Sequence, residues 1–314
     1  MRSLITGVAG FIGSHLAERL LEEGHQVIGV DNFLDNYPIG FKQQNLANLL
    51  HHPRFQWVNQ DIAQLALHEL LEGVSYVFHL AAQPGVRSSW GKEFSRYTQN
   101  NIDATQIILE ACKDSGIGKF VYASSSSVYG DTNDLPMRET GSTRPVSPYG
   151  VSKLAAEHLC YLYWKAYGVP TVSLRFFTVY GPRQRPDMFF HIFMKGLHRN
   201  EEIPLYDDGE QTRDFTFCSD IVEGLLRAAV YPGMGEVFNL GGGAETNLLN
   251  VIQTVEKLSG KKAKLRRFER QRGDVRHTRA NLDLAAAKLD YHPQVSLVEG
   301  VSREWEWIQR LETR

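Results

Sequence analysis

The chain has 314 residues, 42% hydrophobic and 22% charged, with no low-complexity tract, the composition of a soluble globular protein long enough for two lobes. A formal net charge of −2 excludes a broad cationic field for nucleic acid or an anionic membrane, and the basic run Lys261, Lys262, Lys264, Arg266 and Arg267 reads as a solvated face. Three separated cysteines (Cys112, Cys160, Cys218) and eleven scattered histidines show no disulfide frame and no metal-ligand spacing.

Met1-Arg2-Ser3-Leu4-Ile5-Thr6 is read as running straight into a strand with no signal peptide. No apolar run approaches the ~20 residues of a membrane helix, so no membrane partner and a cytoplasmic location are expected. Short apolar runs then alternate with helical stretches, as in a parallel sheet wrapped by helices. The expected strands are Leu4–Thr6, Gln26–Asp31, Phe55–Asn59, Tyr76–Leu80, Phe120–Ser124 and Thr171–Arg175. Helical stretches lie at Phe11–Glu23, which Gly24 stops, and at Thr98–Lys113 and Pro148–Tyr167. Tyr161, Tyr163, Trp164 and Tyr167 read as packing and rim aromatics on the last of these, and Trp305 and Trp307 as docking the C-terminus.

After about residue 176 the rhythm breaks at Gly181-Pro182, Pro186, Pro204 and Asp208-Gly209. The expected fold class is α/β, a Rossmann-type doubly wound parallel sheet with a smaller, interleaved α/β lobe. The first domain is expected at 1–175 with a return near 214–231, and the second lobe at 176–314. With no linker between them, a cleft between lobes is expected.

Gly7-Val8-Ala9-Gly10-Phe11-Ile12-Gly13 follows the first strand and opens the first helix. Absent side chains let backbone N–H groups approach a pyrophosphate, whose charge the helix dipole favours. The second strand ends at Asp31, where a carboxylate can accept from an adenosine ribose, and Asn32-Phe33 brings no arginine for a 2′-phosphate. The expected cofactor is therefore NAD, and 1–175 its domain. Asp61-Ile62 either holds the adenine or, through Asp61, caps the next helix.

Tyr149 and Lys153 are four residues apart at a helix start, hence on one face. An ammonium and a positive nicotinamide ring beside the phenol would lower its pKa toward that of a usable base. Ser124-Ser125-Ser126-Ser127 ends a strand, where a serine can bridge substrate and tyrosine.

Over nearly its whole length the chain resembles the extended short-chain dehydrogenase/reductases, the NAD-dependent sugar epimerase/dehydratase family. The matching segments are TGVAGFIGSHL, Asp31, HLAAQ at 79–83, ASSSSVYG, YGVSK, RFFTVYGP at 175–182 and TRDFTFCSD at 212–220. The resemblance implies Tyr149 as base, Lys153 as its partner and Ser125 as the active-site hydroxyl. It also implies Leu80, Ala81, Ala82, Asn101 and Ser124 at the cofactor, Arg213 near the nucleotide diphosphate and Asp274 near a uridine ribose. The arginine accompanying Asp274 is Arg270 or Arg272. A homodimer is a further implication, and 176–314 becomes the nucleotide-sugar lobe.

Ser126 and Ser127 stand where dehydratases and decarboxylases of the family carry acids, which leaves 4-epimerisation. Thr178, Arg185-Pro186-Asp187-Met188 and Gln83-Pro84-Gly85-Val86-Arg87 are similar to segments of UDP-glucuronate 4-epimerases. Oxidation of glucuronate at C4 gives a β-keto acid, so its carboxylate needs restraint. Ser127, Thr178 and Arg185 are expected to provide it, and Arg87 is expected at the substrate. Arg185 could instead contact a phosphate or pair with Asp187. UDP-glucose or UDP-N-acetylglucosamine 4-epimerisation, and a non-catalytic NAD-binding scaffold, are the alternatives.

Overall fold

The computed structural model describes residues 1–313. The first half runs β1 (Arg2–Thr6), α1 (Phe11–Glu22), β2 (Gln26–Asp31), α2 (Ile39–Leu46), β3 (Phe55–Asn59), α3 (Leu67–Leu70), β4 (Tyr76–His79), α4 (Phe94–Tyr97), a π-helical turn (Thr98–Asp103), α5 (Ala104–Cys112), β5 (Lys119–Ser125), α6 (Pro148–Tyr167) and β6 (Thr171–Phe176). The second runs β7 (Thr178–Tyr180), α7 (Phe189–Arg199), β8 (Glu202–Tyr206), β9 (Thr212–Phe217), α8 (Cys218–Val230), β10 (Glu236–Leu240), β11 (Glu245–Asn247), α9 (Leu248–Ser259), β12 (Lys264–Phe268), α10 (Asp283–Leu289) and α11 (Leu297–Glu312).

Seven strands form one parallel sheet in the order β10-β6-β5-β4-β1-β2-β3. Both faces are covered, which is why the strands are apolar without a polar alternation. Val121 of β5 points into one core with α1 and α8, while Phe120 and Tyr122 point into the other with α5 and α6. The expected α/β doubly wound class is the fold observed.

The chain comes back to this sheet through α8 and β10, so the strand lies beyond the 214–231 stretch from which the return was expected. Nothing in Glu236–Leu240 distinguishes it from a strand of the smaller lobe until its pairing with β6 is seen. The remaining lobe holds the three strands β11-β9-β7, the pair β12-β8, and helices α7, α9 and α11. Asp214, at the start of β9, ties it to the sheet edge by accepting from Gly242 N at 2.5 Å and Ala280 N at 3.0 Å. Burial lifts its pKa to about 6.

Trp305 is buried on α11, which packs on α7 and α9, while Tyr161 and Tyr167 are exposed on α6. The side chains of β12 are exposed, with Arg266 facing Glu202. Among the described residues no helix is long and apolar enough to cross a membrane, and no group of three or more His, Cys, Asp or Glu could hold a metal.

A buried ion pair stitches α6 to β6. Arg175 donates to Glu157 from Nε at 3.1 Å and from Nη2 at 2.5 Å, with both side chains 5% exposed. Removing one partner strands the other charge. Arg175→Leu is expected to cost about 3–5 kcal/mol in urea unfolding, with most of it recovered in Arg175→Leu/Glu157→Leu. Equal losses in the single and double variants would mean the charge pairing is irrelevant to stability.

Candidate active site

A cleft of about 650 Å³ crosses the carboxyl ends of the strands where the order reverses between β1 and β4. Gly7, Gly10, Phe11, Ile12 and Gly13 form one wall. No side chain caps α1, so its first N–H groups are open to an anion. Only glycine fits this turn. Gly7 has φ +74°, and a Cβ on Gly13 would stand 2.3 Å from the Gly7 carbonyl oxygen.

At the end of β2 the buried Asp31 carboxylate accepts from Ala9 N at 3.2 Å and Phe33 N at 2.9 Å. Asn32 donates to Asp61 at 2.8 Å, and Asp61 also accepts from Ala63 N at 2.9 Å. Asp61 thus caps the turn after β3 and also lines the cleft, with Ile62 beside it. Lys42 lies 3.4 Å from Asp31, both side chains buried. Neither Lys42 nor the neighbouring Tyr37, which also line the cleft, was foreseen: they sit on a loop and a helix with no motif of their own. These groups fit an adenosine diphosphate with free ribose hydroxyls.

Leu80, Ala81, Ala82, Ser124, Tyr149 and Lys153 make the facing wall. Ser147 accepts from Gly150 N at 3.1 Å and Pro148 occupies the first turn, which sets where α6 begins. Tyr149 and Lys153 follow one turn apart, toward the cleft. Burial raises the Tyr149 phenol above its usual range, while the Ser125 hydroxyl and the Arg185 guanidinium pull it back. From sequence the lysine ammonium and the nicotinamide ring were expected to lower it. The Lys153 Nζ lies over the Tyr122 ring, 4.6 Å from the centroid. Burial brings Lys153 down to about 7, with Cys160 and Glu157 opposing.

Asn101 stands behind the cleft. Its amide accepts from Gln83 N at 2.7 Å and donates to Gln83 O at 3.1 Å and Ser152 Oγ at 2.8 Å, holding the loop after β4. Gln99 and Asn100, from the same π-helical turn, line the cleft instead. A helical period cannot reveal this, because the wider turn rotates the residues after it.

At the inner end Arg185 also lines the cleft, bonded through Nε (3.0 Å) and Nη2 (2.9 Å) to Asp187. Its loop is anchored on α1, where His15 meets Pro182 O at 2.8 Å and Glu18 accepts from Arg183 at 2.7 Å. Burial, with Arg183 beside it, drives His15 down to about 4, so it is neutral there. Ser127 is joined to Ser125 through N and Oγ, each at 3.2 Å, and Thr178 opens β7, half-buried. Neither Ser127 nor Thr178 lines this cleft.

A second, open cleft of about 320 Å³ lies between Asp131, Val146 and Arg270–Asp274. Arg87 reaches Asp274 at 2.7 Å with its guanidinium 4.0 Å above the Tyr206 ring centroid. Arg270 is bound to Asp131 at 3.1 Å and to Asp274 O at 2.8 Å, whereas Arg272 is exposed. Arg213 donates to Thr212 O at 2.8 Å and Arg276 O at 3.1 Å.

A parallel sheet with a glycine turn, an acidic β2 end and a tyrosine–lysine pair one helical turn apart defines a dinucleotide-dependent enzyme of the short-chain dehydrogenase/reductase type. The chain belongs to the NAD dependent epimerase/dehydratase family, whose profile matches residues 3–241. It is 39% identical to a UDP-glucuronate 4-epimerase of Thermodesulfobacterium geofontis, over 97% of this chain and 95% of that one. It is 45% identical to a Bacillus subtilis protein described as an uncharacterized UDP-glucose epimerase, over 99% of both chains. Among solved structures it matches UDP-glucuronic acid 4-epimerase from Bacillus cereus, in complex with UDP-glucuronic acid and NAD. That match has a TM-score of 0.96 and 43% identity, covering 99% of this chain and 100% of the other.

Gly13→Ala should weaken NAD binding about tenfold or more in calorimetric titration, since backbone atoms cannot yield to the new methyl. Unchanged affinity would remove the glycine turn from the cofactor site.

Proposed function

We propose that the protein is an NAD-dependent 4-epimerase that interconverts UDP-glucuronate and UDP-galacturonate. The observation that carries this reading is the Arg185 guanidinium in the same cleft as the Tyr149 phenol. A sugar whose C4 hydroxyl meets Tyr149 would present its C6 substituent nearby, and a guanidinium there suits a carboxylate. The UDP-glucuronate 4-epimerases among the similar proteins support the same reading.

Tyr149 takes the O4 proton and Ser125 bridges phenol and sugar oxygen. The acceptor and donor for the C4 hydride would be bound NAD, which is unchanged over a cycle and so would be retained. Gly7, Gly10, Phe11, Ile12, Gly13, Asp31, Asn32, Asp61 and Ile62 hold its adenosine and pyrophosphate, with Leu80, Ala81, Ala82 and Ser124 opposite. Asn101 acts by shaping the loop there.

Arg185 keeps the substrate carboxylate out of line with the C4 carbonyl, which prevents loss of CO2, while Ser127 and Thr178, which do not line the cleft, leave that restraint to Arg185. Arg87, Arg213, Arg272 and Asp274 take the UDP moiety. In this division residues 1–175, with the return through 214–231, serve the cofactor and 176–314 the nucleotide sugar. The exposed Val151, Tyr161 and Leu162 of α6 favour a homodimer, and we place the enzyme in the cytoplasm.

A second reading, 4-epimerisation of UDP-glucose, is favoured by Arg185 already being matched by Asp187, and the Bacillus subtilis relative agrees with it. An NMR time course with UDP-glucuronate and no added NAD decides between them. The UDP-galacturonate signals should grow without CO2, faster than the corresponding reaction of UDP-glucose. Preference for UDP-glucose would overturn the first reading. Tyr149→Phe should lower kcat about 10²–10⁴-fold, the range for a positioned acid–base group. Arg185→Ala should raise KM for UDP-glucuronate about 10- to 100-fold and release CO2, with a far smaller change in KM for UDP-glucose.

A further inference from the structure

An ammonium taken out of water stays protonated only where something negative faces it. Lys153 is 3% exposed, and the carboxylate nearest along its own helix is already engaged. Glu157 accepts from Arg175 at 3.1 and 2.5 Å and from Ser124 Oγ at 2.8 Å. Among the described residues no side chain forms an ion pair or hydrogen bond with the Lys153 ammonium. What faces it is the ring of Tyr122, 1% exposed, with 4.6 Å from Nζ to the centroid.

Glu157 and Cys160 work against the fall of the Lys153 pKa without a hydrogen bond or ion pair to its ammonium. His79, paired in register with Tyr122 across β4 and β5, is driven down to about 3 by burial and by Lys153, so it is neutral. Burial raises the Cys160 thiol and the Tyr149 phenol. The Tyr122 hydroxyl is itself buried without a hydrogen-bond partner, and burial raises it well above the usual phenol range. A buried hydroxyl without a partner costs free energy, so hydrogen bonding is not what Tyr122 contributes. The part of Tyr122 in use is its face, whose quadrupole presents negative potential to a cation and does so most strongly where water is excluded.

We propose that the face of Tyr122 is the seat that keeps Lys153 charged and sets its ammonium at the floor of the cleft, which makes Tyr122 a positioning residue for the epimerisation. The inference rests on the epimerase reading for its functional consequence and on geometry for the contact itself. With Lys153 brought down to about 7, its proton is held close to neutrality. Weakening the ring face lowers this pKa further. The ammonium then loses its proton at lower pH, and the alkaline limb of turnover moves toward acid.

The test is made in the full-length protein with Tyr122→Phe, which keeps the face, and with phenylalanines of increasing fluorination at 122, which keep the shape and drain the face stepwise. Tyr122→Leu removes the face. Two quantities are read. The Lys153 pKa comes from NMR of isotope-labelled lysine, assigned with Lys153→Met, and needs no turnover. The pH profiles of kcat and KM are taken with UDP-glucuronate. Both the pKa and the alkaline limb should fall step by step with fluorination, by roughly one pH unit in all, while the melting temperature stays level. Tyr122→Phe should stay close to the parent. A pKa and a limb that are flat across the series would reduce Tyr122 to packing and overturn the proposal. If Tyr122→Leu does not fold, the fluorinated series decides alone. If the parent turns over no UDP-sugar, the epimerase reading fails separately, and the lysine titration still tests the contact.

Discussion

Parallel pairing from β3 to β10 brings the carboxyl ends of seven strands to one edge of the sheet. Crossover helices then leave that edge open, because each must return to the opposite edge before the next strand begins. Thr6, Asp31, His79 and Ser125, at the ends of four of these strands, are thereby gathered from a span of more than a hundred residues. The glycine turn after β1 and the start of α6 after the β5 loop face each other across the gap. The glycine turn, Asp31 and the tyrosine–lysine pair meet in one cleft because of that shared edge.

Buried charge gives the edge its chemical character. Glu157 and Arg175 neutralise each other beneath the cleft, and Arg175 also donates to Tyr129 at 2.9 Å, which in turn donates to Asn239 at 2.7 Å. A satisfied network of this kind is rigid, since loosening any member leaves a buried polar group alone. Lys153, on the helix that carries Glu157, stands just outside the network with an aromatic face in place of a carboxylate. The two lobes meet under similar constraints. His15 and Glu18 of α1 hold the loop that delivers Arg185, so the Arg185 end of the cleft is built partly on the helix that opens at the glycine turn.

Much of this was legible in the chain itself. β2, β3 and α6 have the boundaries that alternation, capping and glycine signals imply, because those signals are local. The glycine turn, Asp31, Tyr149 and Lys153 were equally visible, each having a steric or spacing requirement that few residues meet. Lys42 and Tyr37 were not, for they reach the cleft from outside any motif. Asn101 shows the opposite case: a residue marked by resemblance, whose amide is taken up by Gln83 and Ser152 behind the wall.

By itself the sequence determined the class of fold, the cofactor type and the pair of side chains at the helix start, since periodicity and glycine spacing are properties of neighbouring residues. Tertiary structure alone decided that Ser125 and Arg185 oppose the burial of the phenol, that β10 completes the large sheet, and that Arg185 shares a cleft with Tyr149. Those outcomes depend on distances between segments far apart in the chain, and on how much water their meeting excludes.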